Sequence, residues 1–491
     1  MGEQIIGCSQ QKISPFRGAT MSGFLKNSTV RIGLLSILIS GACYSAEEAD
    51  LIIRNAHILS IDSSRTVYEN GSIIVRGDTI IAIGGENLEQ GYTSETVIDA
   101  GGDIVMPGMI NLHNHIPMIA FRGLGENGVA DRLFKFYFPL EKAMLSRDLI
   151  RIASRHAAIE LALSGVTLVT DMYYHEDEVA RAVAEVGIRG VLGQTVIQFP
   201  VVDAAEPYGG LAYARKYIAD WKNHPLITPA VAPHAPYTVT PEWLLKSKAL
   251  AEEQGVPILI HVDEFRNEAD LIGERIGDYP VGKSVVAYLD QIGFLSDSVL
   301  AAHVNYVDKK DMEILKSRSV GVAHNPKGNS LGNSGMSPAW EMYKLDLDIG
   351  LGTDGPLSSN QMDIMNVMSY AAAVARLRGN DSTRFTPYEL VYMATMGGAR
   401  ALDMEDQIGS LEVGKKADII IVDIHAANMQ PAYDLYANLA FSAYPENVRT
   451  TIVNGKIIVR DRAVQTIDEN AHRAEWMPLT KRVADFAKTL E

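Results

Sequence analysis

The sequence predicts an α/β protein built on a (β/α)8 barrel of the TIM type, with a small β-sandwich-like domain formed from its N- and C-terminal segments. Short runs rich in Val, Ile and Leu alternate with segments of helical character, and such runs are typical of a parallel sheet buried on both faces. Every candidate functional residue follows the C-terminal end of a run, which is where barrels of this kind carry their chemistry. Eight candidate strands end near His115, Asp171, Ile197, His234, Glu264, Asn305, His324 and Asp354.

The segments that flank the barrel predict the small β domain. The chain has 491 residues, whereas such a barrel typically uses about 250, so additional units are expected. Short strands with Asn, Gly and Asp turns extend from Asp50 to Gly101 and from Gly409 to Arg460, where Asn454-Gly455 is a hairpin turn signal. The predicted division is a composite β domain at 47–106 and 409–462, a barrel at 107–408 and a C-terminal helical segment at 463–491.

Composition favours a globular enzyme and argues against a nucleic-acid partner. Hydrophobic residues make up 47% of the chain and charged residues 21%, and the formal net charge is −16. An acidic surface disfavours phosphate backbones, because those partners are recognised by clustered Lys and Arg. The two cysteines, Cys8 and Cys43, precede the folded region, so neither a disulfide framework nor a Cys-x-x-Cys metal site is expected.

Residues 1–46 have the pattern of a secretory leader. Lys26 and Arg31 precede a short apolar run from Ile32 to Ala42, which small residues end and acidic residues follow. The run is shorter than the roughly 20 residues of a membrane span, so no stable span is predicted. We expect export, with a periplasmic location; a cytoplasmic protein with a miscalled N-terminal tail is the alternative. Lipidation of Cys43 stays open.

His113 and His115 are the first candidates for a metal site. Side chains of a β-strand alternate between its two faces, so both imidazoles of a His-x-His pair point the same way and can share one ion. Buried histidines satisfied by backbone carbonyls are the alternative for His261 and His303, and Asp354 alone could cap the following helix. The recurrence of His and acidic residues at other strand ends favours the metal site.

Seven motifs, taken together and in order, resemble the amidohydrolase superfamily. More narrowly, they are similar to its mononuclear branch, which contains S-adenosylhomocysteine and 5'-methylthioadenosine deaminases and the s-triazine chlorohydrolases. The resemblance covers nearly everything from Asp50 to Arg460, and its joint order is specific, whereas any one motif is weak. The motifs are PGMINLHNH (Pro107 to His115), PHAPYTVTPE (Pro233 to Glu242), HVDE (His261 to Glu264), AAH (Ala301 to His303), HNP (His324 to Pro326), GTDG (Gly352 to Gly355) and GSLEVGKKADIIIVD (Gly409 to Asp423).

The resemblance implies a mononuclear metal centre. Three imidazoles and one carboxylate also suit zinc or iron on chemical grounds, and a remaining coordination position can hold water. We expect one divalent ion, Zn²⁺ first and Fe²⁺ as the alternative. The implied ligands are His113, His115, His261 and Asp354.

The same resemblance implies the acid and base groups. Asp354 would also accept a proton from the attacking water, and Glu264 would protonate a ring nitrogen and then the leaving amine. His303 would orient that water or stabilise the developing oxyanion. His234 matches a substrate-contacting histidine of the family, with a rigid turn as its alternative. His324 is a candidate for a supporting role behind the ligands.

The substrate is the least constrained part of the prediction. Glu141, in the segment PLEKAM, matches a glutamate with which nucleoside deaminases of this branch accept hydrogen bonds from ribose hydroxyls; a surface helix glutamate is the alternative. Arginines expected from the adenosylhomocysteine deaminases are replaced here by Gln194 and Leu211, which weakens the case for recognition of an amino-acid carboxylate. The segment 324–335 also departs from the usual Ser-Asn-x-Lys-Leu form.

The predicted enzyme is a metal-dependent aminohydrolase that replaces an exocyclic amine of a purine-like heterocycle with oxygen and releases ammonia. Its predicted substrate is an adenosine-type nucleoside such as S-adenosylhomocysteine or 5'-methylthioadenosine, and a homo-oligomer is expected. A triazine chlorohydrolase is the alternative, but Glu264 favours an amine, because chloride leaves without protonation. A dinuclear amide hydrolase needs a bridging lysine, whereas the fourth strand ends in His234. An inactive scaffold is the remote alternative.

Overall fold

The computed structural model describes residues 46–126, 133–277, 279–280 and 282–489. The predicted leader up to residue 45, with Cys8 and Cys43, lies outside the described residues. The strands are β1 (Glu47–Glu48), β2 (Leu51–Leu59), β3 (Val67–Arg76), β4 (Thr79–Gly84), β5 (Tyr92–Thr93), β6 (Val97–Asp99), β7 (Ile104–Pro107), β8 (Met109–Asn111), β9 (Val166–Tyr173), β10 (Arg189–Val196), β11 (Ile227–Pro233), β12 (Ile258–Val262), β13 (Val299–His303), β14 (Gly321–His324), β15 (Ile349–Leu351), β16 (Ile419–Val422), β17 (Val448–Val453), β18 (Lys456–Arg460) and β19 (Ala463–Val464).

The α-helices begin and end at signals that the sequence carries. The hydroxyl of Ser146 accepts a hydrogen bond from the Leu149 amide at the start of α2, and Gly255, at φ 65°, follows the last residue of α5. The α-helices are α1 (Phe138–Met144), α2 (Arg147–Leu163), α3 (Glu176–Val186), α4 (Gly210–Trp221), α5 (Pro241–Gln254), α6 (Glu268–Arg275), α7 (Val285–Gln291), α8 (Lys309–Ser317), α9 (Pro326–Gly332), α10 (Ala339–Lys344), α11 (Ile364–Gly379), α12 (Pro387–Ala394), α13 (Met396–Arg400), α14 (Leu435–Phe441) and α15 (Glu469–Ala487).

The predicted barrel is confirmed. Within the described residues, β8 to β15 form one sheet in sequence order, and each strand runs parallel to its neighbour. The two edges of this sheet meet, because the Leu112 amide donates to the Leu351 carbonyl at 2.9 Å and the Asp354 amide donates to the His113 carbonyl at 3.0 Å. All residues of β9 and β10 are buried, as a parallel sheet covered on both faces requires.

The second sheet joins the two ends of the chain, which is also as predicted. Its order is β19-β18-β17-β16-β7-β2-β3-β4, and β6 pairs with β2. The N-terminal β7 runs antiparallel to the C-terminal β16, with Val105 opposite Ile421. The Asn454-Gly455 turn between β17 and β18 has φ values of 53° and 75°, the left-handed conformation that a tight hairpin turn requires. A Cβ on Gly455 would lie 2.1 Å from the Gly77 carbonyl oxygen.

A buried ion pair links the barrel to the second sheet. The barrel and this sheet belong to one compact unit that begins at Ala46. The Arg189 Nε, on β10, lies 2.5 Å from Asp418 Oδ2, and both side chains are buried. Arg189 also donates to Asn454 Oδ1 at 2.6 Å, and the Asn454 amide donates to Asp418 at 2.7 Å. The hairpin turn is therefore held against the barrel.

No helix in the described ranges is long and apolar enough to cross a bilayer.

Candidate metal and catalytic site

Four histidines and an aspartate from four strand ends meet at the C-terminal rim of the barrel. His113 and His115 follow β8 instead of lying on it, so strand alternation is the wrong reason for their convergence; the chain leaves β8 and turns into a short 3-10 helix at Ile116–Phe121. The ring centroid of His113 lies 4.9 Å from those of His115 and His261 and 5.1 Å from that of His303. Asp354 joins them from the end of β15.

The donor atoms of His113, His115 and Asp354 lie close enough together to hold one divalent ion, and those of His113, His261 and His303 form a second such group. His115 Nε2 lies 3.3 Å from His261 Nε2 and 3.6 Å from Asp354 Oδ1, and His113 Nε2 lies 3.7 Å from the same oxygen. Two donors each about 2.1 Å from a tetrahedral ion lie roughly 3.4 Å apart, so these separations match. His113 Nε2 is buried without a hydrogen-bond partner among the described residues, as expected of an atom reserved for an ion.

Hydrogen bonds to the outer ring nitrogens turn the inner nitrogens toward the centre. His115 Nδ1 bonds to the Met172 carbonyl at 2.8 Å, and His261 Nδ1 bonds to the His234 carbonyl at 2.7 Å. Each carbonyl accepts the Nδ1 proton, which leaves Nε2 with its lone pair. Backbone near the end of β9 and just after β11 therefore sets the tautomers of two histidines.

Burial keeps the histidine cluster uncharged. It lowers the pKa of His113 and His261 well below the ordinary value, and the neighbouring imidazoles lower it further. For His115, burial also lowers the pKa, although Asp354 opposes the shift. A neutral imidazole is the form that can donate its lone pair to a metal ion.

Glu264 faces the cluster from the end of β12. Burial raises its pKa well above the ordinary value, and the charge of Asp354 raises it further. Its side chain is 16% exposed, and Oε2 lies 4.0 Å from His303 Nε2. Glu268, on α6, accepts the Asp263 amide at 3.0 Å and the Glu264 amide at 2.8 Å, so it holds the backbone that carries the acid.

An asparagine network positions His303. Its Nδ1 lies 2.8 Å from Asn329 Oδ1, on α9, and Asn329 donates to Asn305 Oδ1 at 2.7 Å. Asn305 in turn donates to the Glu264 carbonyl at 3.0 Å. His303 itself has φ 75°, an unfavourable conformation for a residue with a Cβ, and the network offsets that strain. The same network couples His303 to the backbone of Glu264.

A cavity of about 510 Å³ opens from the cluster. His234, the predicted substrate-contacting histidine, lines this cavity. Its Nδ1 bonds to Thr238 Oγ1 at 2.9 Å, so Nε2 is the ring nitrogen available to a ligand. Burial lowers the pKa of His234 to about 3, so the ring is neutral. Phe134, Tyr137 and Arg275 also line this cavity.

Glu141 lines a neighbouring cavity of about 750 Å³, not the one that contains the histidines. It is buried, accepts a hydrogen bond from the Tyr173 hydroxyl, and has a pKa raised by burial to about 7. It is therefore not a surface helix glutamate. Tyr173 connects it to the cluster, because the rings of Tyr173 and His115 are 6.2 Å apart. Phe134 lines both cavities.

Three other residues singled out in the sequence do not line the 510 Å³ cavity. Gln194 is fully buried and donates to Asp203 at 2.7 Å, and Leu211 is half-buried on α4; neither lines the 510 Å³ cavity. His324 is buried at the end of β14, where neither ring nitrogen has a hydrogen-bond partner among the described residues. Burial lowers the pKa of His324 to about 3, and the neighbouring His303 contributes.

The sequence analysis missed the residues that support the cluster. Glu268 lies four positions after Glu264, the spacing of one helical turn, and this spacing was the available signal for it. Asn329 lies three positions after the end of the HNP motif, and only that proximity pointed to it. No signal in the sequence pointed to Arg275, because it stands eleven positions after Glu264, at the end of α6.

An eight-stranded barrel with a histidine and carboxylate cluster at its C-terminal rim defines the class of metal-dependent barrel hydrolases. The chain belongs to the amidohydrolase family, whose model matches residues 104–458. It is a hydrolase that acts on carbon–nitrogen bonds. The recognition made from the motifs is thereby confirmed.

Similar proteins include enzymes named as deaminases. A 5-methylthioadenosine/S-adenosylhomocysteine deaminase from Syntrophus aciditrophicus is 33% identical over 89% of this chain and 98% of its own length. A 5'-deoxyadenosine deaminase from Methanosarcina mazei is 36% identical over 86% of this chain and 95% of its own length.

Solved structures include two with a fold similar to that of this chain. A zinc-bound adenosine deaminase from Xanthomonas campestris superposes with a TM-score of 0.85 at 28% identity, covering 90% of this chain and 100% of the other. Atrazine chlorohydrolase from Arthrobacter aurescens, complexed with zinc, superposes with a TM-score of 0.80 at 21% identity, over 88% of this chain and 100% of the other, and shows the fold alone. The histidine cluster of this chain offers the donor groups that a divalent ion requires.

Proposed function

We propose that this protein is a zinc-dependent deaminase of adenosine-type nucleosides. The observation that carries the proposal is the placement of Glu264, largely buried and with a pKa that burial raises, beside a cluster of histidines and Asp354. This arrangement supplies a proton donor and a proton acceptor at one end of a cavity large enough for a nucleoside. The names of the relatives support an adenosine-type substrate.

The proposed ligands combine His113, His115 and Asp354, whose donor atoms lie within 4.8 Å of one another, with His261, whose Nε2 lies 3.3 Å from that of His115. When bound there, a divalent ion lowers the pKa of a water that it contacts from about 15.7 to about 7. Zinc is our choice, because three imidazole nitrogens and one carboxylate oxygen form a donor set that zinc prefers. The ligands are His113, His115, His261 and Asp354.

The chain's own groups then move the protons. Asp354 accepts a proton from the attacking water, and Glu264 gives its proton to the purine ring nitrogen next to the reacting carbon. The water oxygen bonds to that carbon, the carbon–nitrogen bond to the exocyclic amine breaks, and ammonia leaves with a proton returned through the carboxyl groups. His303, whose Nδ1 proton is held by Asn329, presents the lone pair of Nε2, which accepts a hydrogen bond from the attacking water and orients it.

Glu141 is our proposed contact for the ribose hydroxyls. It is buried beside Tyr173 in the cavity next to the cluster, and His234 lies at the wall of the cavity that would hold the base. A 2'-deoxy or ribose-free analogue would leave the buried carboxyl with unmade hydrogen bonds, at a cost of about 1 to 3 kcal/mol. Replacing Glu141 with Gln should reduce the preference for ribosides and leave the metal content unchanged.

The test is ammonia release from a panel of substrates by the zinc-loaded protein. The panel contains adenosine, 5'-deoxyadenosine, 5'-methylthioadenosine, guanine, pterins, cytosine and aminotriazines. We expect turnover of the adenosine derivatives and much slower release from the free bases. Preferred turnover of a free base, a pterin or a triazine would reject the nucleoside proposal.

Metal content tests the ligands independently of the substrate. His113→Ala and His261→Ala should lose zinc and activity together, with unchanged far-UV circular dichroism. His224→Ala, which changes a histidine on the loop before β11, is the matched control and should keep both. Full zinc occupancy in the two variants would show that His113 and His261 are not ligands. A wild-type protein that binds no metal would point to an inactive scaffold.

Export and self-association are further proposals that rest on the leader pattern and on the resemblance. Cell fractionation of the full chain, with mass measurement of the mature N-terminus, tests cleavage of the segment that ends near Ala42. Recovery of the uncleaved chain in the cytoplasm would favour the miscalled tail. Light scattering after size exclusion gives the oligomeric state.

A further inference from the structure

Asp171 lies near the end of β9, yet it is neither a proposed metal ligand nor one of the acid and base groups. It is 1% exposed, and its Oδ1 accepts a hydrogen bond from the Ile116 amide at 2.5 Å. Ile116 directly follows His115 and is the first residue of the short 3-10 helix. The Asp171 carboxylate therefore holds the chain immediately after a proposed ligand.

The strand β9 holds this segment at three points. The Met172 carbonyl bonds to His115 Nδ1 at 2.8 Å, and the Met172 amide donates to the Asn114 carbonyl at 3.3 Å. Both of these bonds use the backbone of β9, whereas the third, from the Ile116 amide, uses the side chain of Asp171. The direction in which that carboxylate points thus affects where His115 lies.

Glu176, the first residue of α3, contacts that carboxylate. Glu176 is completely buried, and its carboxyl group is in hydrogen-bond contact with that of Asp171. Asp171 Oδ2 and both oxygens of Glu176 are buried, and no N–H or O–H group of the described residues donates to them in hydrogen-bond geometry. Two buried carboxyl groups in contact cannot both be ionised at low cost, so the pair shares a proton.

The proton of the pair belongs to Glu176. Burial raises the pKa of Glu176 well above its ordinary value, and the charge of Asp171 raises it further. A protonated carboxyl group has one O–H donor, which an ionised one lacks. The acid of Glu176 can therefore donate to Asp171 Oδ2, while Asp171 Oδ1 accepts the Ile116 amide.

Hydrogen bonds from β10 fix the start of α3, and with it Glu176. The His175 amide donates to Asp203 Oδ2 at 2.7 Å, and the Glu176 amide donates to Gln194 Oε1 at 3.3 Å. Gln194 in turn donates to Asp203 Oδ2 at 2.7 Å. This position needs one acceptor and one donor, which an amide side chain supplies, whereas an arginine has no acceptor. The buried Gln194 thereby supports the residue that contacts Asp171.

We propose that Glu176 is a positioning residue of the metal centre, whose carboxylic acid donates a hydrogen bond to Asp171 and so fixes the Ile116 amide and the adjoining His115. The proposal rests on the metal ligands of the proposed function and is independent of the substrate. The proton stays between the two carboxyl groups and takes no part in the reaction. The site therefore requires a hydrogen-bond donor at position 176, not a charge.

The test is the zinc dissociation constant, measured by competition with a chelator, in the wild type, Glu176→Gln and Glu176→Leu. The amide of Gln donates to Asp171 as the acid does, so zinc affinity should stay within about threefold of the wild type. Leu has no donor, so zinc affinity should fall by about tenfold to a hundredfold, the usual cost of losing a partner behind a metal ligand. Urea unfolding of the zinc-free proteins shows whether each variant is folded under the conditions of the titration.

Glu185→Leu is the matched control. Glu185 is exposed near the end of the same helix and pairs with Arg155, so this variant should bind zinc as the wild type does. Wild-type affinity in Glu176→Leu would overturn the inference, and so would an equal loss in Glu176→Gln, which would show that the charge is required. A wild type that binds no zinc would reject the metal centre of the proposed function itself.

Infrared difference spectroscopy decides the matter if Glu176→Leu does not fold. At neutral pH the wild type should show the carbonyl band of a buried, protonated carboxylic acid that Glu176→Gln lacks. Absence of this band from the difference spectrum would show that Glu176 is ionised, and would overturn the inference.

Discussion

At the scale of single residues, the protonation state of Glu264 controls what the site can do. A carboxylic acid on the surface is ionised at neutral pH and has no proton to give. Burial beside Asp354 raises the pKa of Glu264, so it keeps its proton. Because a group with a raised pKa is protonated only below that pKa, turnover should fall as the pH rises through it. Glu268 and Asn305 contribute by fixing the Glu264 backbone.

Glu264→Gln should therefore slow turnover while leaving the metal in place. An amide of the same shape cannot supply a proton, and loss of a general acid typically costs about 10² or more in kcat. The measurement is kcat for the best nucleoside together with zinc content by mass spectrometry. Glu274→Gln, an exposed change on α6, the helix that follows Glu264, is the control. Wild-type turnover in Glu264→Gln would show that another group carries the proton.

At the scale of elements, a buried ion pair joins β10 of the barrel to the second sheet. Arg189 enters from the barrel and Asp418 from the loop before β16, and both are buried. An ion pair removed from water must be satisfied on all sides, and Asn454 supplies the remaining hydrogen bonds. The pair therefore ties the register of the hairpin turn to the bottom of the barrel.

Arg189→Met should destabilise the fold strongly. It leaves the buried Asp418 carboxylate without its partner, at an expected cost of about 3 to 5 kcal/mol. The midpoint and slope of urea unfolding give this free energy. Arg215→Met is the control, because Arg215 pairs with Glu253 on the exposed surface, where solvent screens the charges. Equal small effects in both variants would mean that the buried pair is not a structural link.

At the scale of the whole molecule, the C-terminal helix packs against the barrel through histidines. His156, on α2, stacks on Trp476, on α15, with ring centroids 4.2 Å apart, and its Nδ1 lies 3.2 Å from His472 Nε2. Burial lowers the pKa of His156 to about 4, and the neighbouring His472 contributes. Docking of α15 therefore requires a neutral His156.

This contact predicts a loss of stability in mild acid. The unfolded chain binds a proton at His156 below about pH 6.5, whereas the folded chain does so only near pH 4, so the free energy of unfolding falls as the pH drops between these values. One proton contributes at most about 1.4 kcal/mol per pH unit. His156→Gln removes this titrating group. The variant should therefore be less stable than the wild type at pH 7, and the difference in their free energies of unfolding, measured by thermal unfolding, should shrink as the pH falls toward 4. A constant deficit would contradict the prediction.

Much of the fold could be predicted because its signals are local. Apolar runs such as Ile258–Val262 show the strands, Pro241 and Gly255 bound α5, and Asn454-Gly455 marks a hairpin, all within a few residues of chain. The strand ends of a parallel barrel share one rim, so the convergence of distant histidines followed from the architecture. The reason given for His113 and His115 was wrong, because both lie beyond the end of β8.

The sequence by itself determined the barrel, the sheet that joins the chain ends, the family and the set of side chains that meet at the rim. Only the tertiary structure decided that Glu141 lies in the neighbouring cavity, that Gln194 is bound to Asp203, and that Arg275 stacks over Phe134. Periodicity and turn chemistry act between near neighbours in the chain. Cavity walls, in contrast, are formed by loops and helix ends far apart in sequence, whose positions depend on how the elements that carry them pack.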